Sequence, residues 1–183
     1  MLNSIKRSNP MGQLLTTQSN EVKAALEKGR VLLGIACYVV AWKGQPDINP
    51  TSWIPLLRLH NQGIDDYLYT TSQAEADQAA KIGYVFEAIV CNLGAPNLQA
   101  SGSLVPLSRL YNPQTGEHFY TKDGTIINQR LQAGFQAETS PGFVFDPYRG
   151  AVPAWDTSVP LYRLSHIGAT LPQFMPWYNS ELL

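Results

Sequence analysis

The chain has 183 residues, 44 % hydrophobic and 15 % charged, a composition that fits a folded globular protein and excludes a disordered one. Its formal net charge is −1 and it carries no basic run, which argues against a nucleic-acid partner held through phosphates. The longest apolar stretch, Val31 to Trp42, is too short to cross a bilayer, so membrane insertion is not expected.

The first residues, MLNSIKR, lack the apolar h-region of a signal peptide. The expectation is a cytoplasmic or non-classically secreted protein, with an extracellular mature fragment as the alternative. A strand around Lys6 and a short hairpin ending at Thr16 lead into TTQSNEVKAALEKG, read as a helix closed by Gly29. The strand RVLLGIACYVV follows.

The same order then recurs. IPLLRLHN and YLYT, joined by a turn rich in Asn, Gly and Asp, read as a hairpin, and Thr70 aligns with Thr16. Ser72 or Thr71 caps the next helix, with Glu75 placed to complete a capping box as Glu21 is in the first copy. Gly83 ends that helix and YVFEAIVCNL is the third strand. In the third copy VPLSRLYNP, EHFYT, a helix weakened by Gly124 and the pair Ile126-Ile127, Gly134 and FQAETSPGFVF repeat the plan. Low helix propensity predicts only a short helix or a single turn there. A fourth copy of the first strand, VPLYRLSH, stands alone after it.

The period predicts one domain, 1–183, made of ββαβ repeats at 1–53, 54–104 and 105–158 with a closing strand segment at 159–183. A single unit cannot bury both faces of its sheet, so the copies must pack together. The expected fold is mainly β with short helices. Its three repeats form a closed pseudo-threefold, three-lobed, propeller-like toroid, with a β-trefoil as the alternative.

The pattern P-L-Y-R-L-Y-N-P-x-T-G-(D/E)-H-F-Y-T, then a short helix, then G-Y-x-x-E-G, is matched most closely by Arg109 to Thr121 and, at the strand entry, in part by Gly83, Tyr84 and Glu87. It resembles an uncharacterised repeat family of bacterial and fungal proteins, often attached to secreted hydrolases or cell-surface proteins. The resemblance implies surface recognition without catalysis.

Three sets of residues carry the functional expectations. Arg58, Arg109 and Arg163 recur in the first strand, with Lys6 in the first copy, and Glu87 and Glu138 recur after the helix glycine. Charges inside apolar strands need partners, so these residues are read as structural pairs joining one unit's third strand to the next unit's first. The hairpins place Asn61, Asp65, Asp66 and Tyr67 in unit two, and Tyr111, Asn112, Glu117 and His118 in unit three. Amides and carboxylates beside aromatic rings suit vicinal hydroxyls and pyranose faces, whereas turn geometry alone also favours Asn, Asp and Gly. Unit one keeps only Gly12, Gln13, Leu14 and Leu15 there, so unit three is the stronger candidate. Tyr69, Tyr120, Phe119 and Leu68 are expected to fill the core between units, and Trp42, Trp53 and Trp155 to stack on ligand or cover core ends.

His60, His118 and His166 occupy different repeat positions without metal-ligand spacing, and no nucleophile or phosphate-loop motif exists. Cys37 and Cys91 are equivalent positions of separate units, read as small core residues rather than a disulfide. No enzyme activity, cofactor or metal is therefore expected. The functional expectation is a lectin-like module binding cell-wall or cell-surface glycans, with up to three related sites. A protein-interaction or structural repeat module is the alternative.

Overall fold

The computed structural model describes residues 12–44, 52–101, 104–146 and 158–166. It is mainly β, with eleven strands and three short α-helices. Unit two shows the plan. Strand β3 (Trp53–Asn61) pairs antiparallel with β4 (Asp66–Thr70), and after helix α2 (Gln73–Ala80) strand β5 (Val85–Gly94) returns along the other edge of β3. Unit three repeats it with both long strands interrupted. β6 (Leu104–Pro106) and β7 (Ser108–Asn112) together form the first, β8 (Glu117–Thr121) the second, and β9 (Gln136–Glu138) with β10 (Phe143–Phe145) the third, after helix α3 (Gly124–Gln132).

Unit one contributes β1 (Leu14–Thr16), helix α1 (Ser19–Glu27) and β2 (Arg30–Val40). The strand between β1 and β2 comes from the far end of the sequence: β11 (Ser158–His166) pairs with β1 from Leu14↔Leu164 to Thr16↔Tyr162 and with β2 from Arg30↔His166 to Val40↔Ser158. The fourth copy of the first strand thus lies against the opening elements. Lys6 lies outside the described residues.

The sheets do not remain three separate blades. The ends of the long third strands have a free edge, and their backbone groups pair with one another. Tyr38 stands opposite Phe145, Gly94 opposite Phe143 and Val40 opposite Asn92. Units one and two merge through β10 into an eight-stranded sheet, and β8-β7-β9 stays a separate three-stranded one. No set of strands among the described residues closes into a barrel.

Gly29, Gly83 and Gly134 end the three helices with φ of 83°, 97° and 89°, the left-handed backbone a helix C-terminus favours. α3 is a full nine-residue helix, as long as α1, not the shorter helix or single turn its propensity predicts. Asp123 caps it, its Oδ1 accepting from the backbone N–H of Thr125 and Ile126, and Ile126 and Ile127 pack against Leu110, Phe119 and Phe135. Cap and packing outweigh intrinsic preference.

The central core collects Leu15, Tyr69, Tyr120, Cys37, Cys91 and Val144 from all three units, and both cysteines are free thiols. Leu68 and Phe119 do not join it. Strand alternation turns them to the opposite face, where they pack beneath their own units' helices.

Candidate functional site

The second strands β1, β4 and β8 are sheet edges enclosed in the interior, so their outward backbone groups need partners other than water. Tyrosines of the neighbouring unit supply them. The Tyr69 hydroxyl accepts from Leu15 N (2.7 Å) and donates to Leu15 O (3.2 Å), and Tyr120 does the same to Tyr69 N (2.8 Å) and O (3.3 Å). Unit one has Leu15 in the tyrosine position. There Gln13 closes the circuit, its Oε1 accepting from Tyr120 N at 2.8 Å, while its buried Nε2 has no partner.

The hairpins point inward and their turns meet. A Cβ at Gly12 would stand 2.0 Å from the Asp65 carbonyl oxygen, and one at Gly116 would stand 3.4 Å from Ile64 Cδ1. Of the residues expected to face a sugar, Asp66, Tyr67, Asn112, Glu117 and His118 are buried, whereas Asn61, Asp65 and Tyr111 are half-buried. Asn61 and Asn112 bind their own turns, accepting from Gly63 N and Gln114 N. Asp66 accepts from the Tyr84 hydroxyl (2.7 Å) and His118 N (2.8 Å), and its Oδ2 lies 2.6 Å from His118 Nδ1. Tyr111 rests against the His118 ring, with centroids 5.0 Å apart. Glu117 is enclosed with no hydrogen-bond partner at Oε2. Burial pushes its carboxyl up to about 7, with Arg130 opposing and Asp66 adding to the shift.

Asp65, the last residue of the turn before β4, meets partners other than those of Asp66. Its φ of 48° holds the turn, and its carboxylate gathers groups from distant parts of the chain. Arg30 Nη2 lies at 3.3 Å, His60 Nε2 at 2.8 Å, and His166 Nε2 is in contact as well. His60 also reaches Glu87 through Nδ1 (3.2 Å) and stacks flat on Tyr67, with centroids 4.1 Å apart. The Asp65, Glu87 and His166 side chains are each about a quarter to a third exposed, so the cluster opens to solvent. The sequence reading missed His166. Its signal was the register of the fourth strand-one copy, in which His166 takes the place of Asn61 and Asn112. No group of three His, Cys, Asp or Glu among the described residues is arranged to hold a metal ion.

The arginines pair with glutamates, but Glu87 and Glu138 are partners within the unit, not between units. Arg58 Nε lies 2.9 Å from Glu87 Oε2, and Arg109 Nε 2.9 Å from Glu138 Oε2. Both Nε–H groups point out of line for a hydrogen bond, so these contacts are coulombic. The link between units comes from the preceding helix. Glu21 receives Arg58 Nη2 at 2.6 Å, and Glu75 receives both Nη atoms of Arg109 at 2.7 and 3.0 Å. Glu75 therefore does not complete a capping box; Ser72 Oγ still accepts from Glu75 N, while Ser72 N turns to Thr70 Oγ1. Arg163 is buried and meets no glutamate among the described residues, because Leu33 and Ile126 stand where the other units carry theirs. Trp53 packs on Phe145, Trp42 is half-buried, and Trp155 lies outside the described residues.

No curated protein and no solved structure matches this chain. One family model matches it twice, over residues 6–105 and again over 55–175. The two matches overlap in unit two, which the model covers once with the unit before it and once with the unit after it. That double match spans most of the sequence, and the chain belongs to the uncharacterised family described as a domain of unknown function (DUF5648).

Proposed function

We propose that this protein is a non-catalytic, lectin-like module that binds carbohydrate. The observation that carries the reading is the partly exposed cluster of His60, Asp65, Glu87 and His166, backed by Arg30 and floored by Tyr67. Fixed carboxylates and imidazoles present the acceptors and donors that neighbouring sugar hydroxyls take up. On this reading the three units are lobes of a pseudo-threefold, propeller-like ring. Its support is the order second–first–third strand, present in all three units. The open polar cluster belongs to one junction, so a single principal site is expected. Titration of cell-wall and cell-surface glycans, followed by NMR of the histidine rings, tests it. Binding should perturb His60 and His166, and His166→Ala should weaken it about tenfold, the worth of one good hydrogen bond. Absence of binding by any glycan at millimolar concentration would sink the reading.

A second reading rests on a different surface. Ile82, Val85 and Phe86 are 71 %, 66 % and 55 % exposed and adjoin at the start of β5, which suits a protein partner. Phe86→Asp should abolish such an association and leave sugar binding intact.

A further inference from the structure

The three first-strand arginines are equivalent by register, but their surroundings are not. Arg58 and Arg109 each meet one glutamate from the preceding helix and one from their own third strand. For Arg163 the helix position is Ile126 and the strand position is Leu33. The two missing side chains leave space. A cavity of about 150 Å³ lies at this junction, lined by Leu33, Ile126 and the Arg163 side chain together with Ile35, Ala36 and Thr121. Arg163 is only 8 % exposed, and its Nε has no hydrogen-bond partner.

Other groups at the cavity do not replace the glutamates. Asp123 lines it but spends its Oδ1 on the cap of α3. Lys122 lines it too and is paired with Asp146 at 3.1 Å. The Phe119 ring lies 5.8 Å from the guanidinium carbon, near the outer limit of a cation–π contact. The difference shows in the charge balance: burial lowers the pKa of Arg163, whereas at Arg58 and Arg109 the glutamate bonds overcome burial and raise it. A buried guanidinium with no ion pair among the described residues is costly, and five N–H donors in a fork match a carboxylate.

We infer that the cavity beside Arg163 is a binding site for a small organic carboxylate. The ligand's carboxylate takes the place that the glutamates of the helix and the third strand fill at the other two junctions. Leu33, Ile35 and Ile126 receive a short apolar body, and a cavity of this volume holds roughly a benzene-sized group. Solvent access is along Ile35, which is 46 % exposed. This site lies apart from the Asp65 cluster and does not depend on it. The carboxylate can belong to a free aliphatic acid or to an acidic sugar.

The test is titration of the full chain with propionate, glucuronate and the neutral counterparts propionamide and glucose, read by NMR at the Leu33 and Ile126 methyls and by thermal shift. The expected result is saturable binding and a raised melting temperature with one or both acids and with neither neutral compound. Tighter binding of glucuronate identifies an acidic sugar, tighter binding of propionate a free acid, and either order supports the site. Arg163→Leu should weaken binding at least tenfold. Ile126→Glu restores the internal partner, so it should raise the melting temperature of the free protein and remove the ligand response. The inference is overturned by equal binding of the amide, by no saturable binding of either acid up to tens of millimolar, or by undiminished acid binding in Ile126→Glu. The last comparison decides the matter even if Arg163→Leu does not fold.

Discussion

Single residues here do two kinds of work, satisfying buried backbone and balancing buried charge. Tyr120 is fully enclosed and its hydroxyl serves both Tyr69 N and Tyr69 O. Tyr120→Phe keeps the ring and strands two backbone groups, so chemical denaturation should show a loss of about 1–3 kcal/mol. Glu117 gives a pH signature. Burial raises its carboxyl from the ordinary 4.5 to about 7, so between those values the folded state binds more protons than the unfolded one. Stability from this group is full below about pH 4.5 and is lost as pH rises through about 7, on the order of 3 kcal/mol in all. Glu117→Gln cannot ionise and should flatten that slope. Denaturation at several pH values from 4.5 to 8 measures it, and parallel curves for both proteins would place Glu117 in a more polar setting than its burial implies.

At the scale of elements, each unit meets its requirements by a different route. α2 is capped by Ser72 and α3 by Asp123, whereas the N-cap residue of α1, Gln18, makes no such side-chain bond. The weak-propensity helix has the strongest cap, with two N–H groups bound to Asp123. Asp123→Ala should therefore cost about 1 kcal/mol, within the usual range for losing a cap, and thermal unfolding by circular dichroism is the measurement. The third strand of unit three breaks between Glu138 and Phe143. Its outer half stays with β7 while its inner half joins β2, β5 and β6. That division lets one strand serve both its own unit and the junction of all three.

At the scale of the molecule, the opening elements depend on the C-terminal strand. β11 supplies the strand between β1 and β2, the arginine beside the cavity and the histidine that reaches Asp65. Deleting residues 158–183 leaves β1 without its ladder, one edge of β2 open and the apolar core beside Leu161 and Leu164 uncovered. The truncated chain should lose cooperative unfolding and the sharp size-exclusion peak of the full protein. A truncated chain that eluted as a monomer and melted normally would show that units two and three stand alone. A peptide of residues 158–166 added in trans is expected to restore part of the melting transition.

The sequence alone determined the repeat, the order of elements in each unit, the helix-ending glycines and the need for charge partners. All of these rest on local chemistry: alternation, turn residues, left-handed backbone and the cost of a lone buried charge. It also offered the opening elements as a place for the fourth strand copy, because an unpaired strand with an apolar face must go somewhere, and β11 does pair with β1 and β2. Only tertiary structure decided which glutamate meets which arginine, since strand register and helix position both bear on the same guanidinium. It also decided that the polar hairpins face inward. A turn rich in Asn and Asp looks the same in sequence whether it meets solvent or another turn, and here Gly12 meets Asp65 and Gly116 meets Ile64. The gathering of His60, Asp65 and His166, and the space beside Arg163 left by Leu33 and Ile126, arise because residues distant in sequence become neighbours, Asp65 and His166 being 101 positions apart. Contacts of that range are set by how units pack, and no local pattern records them.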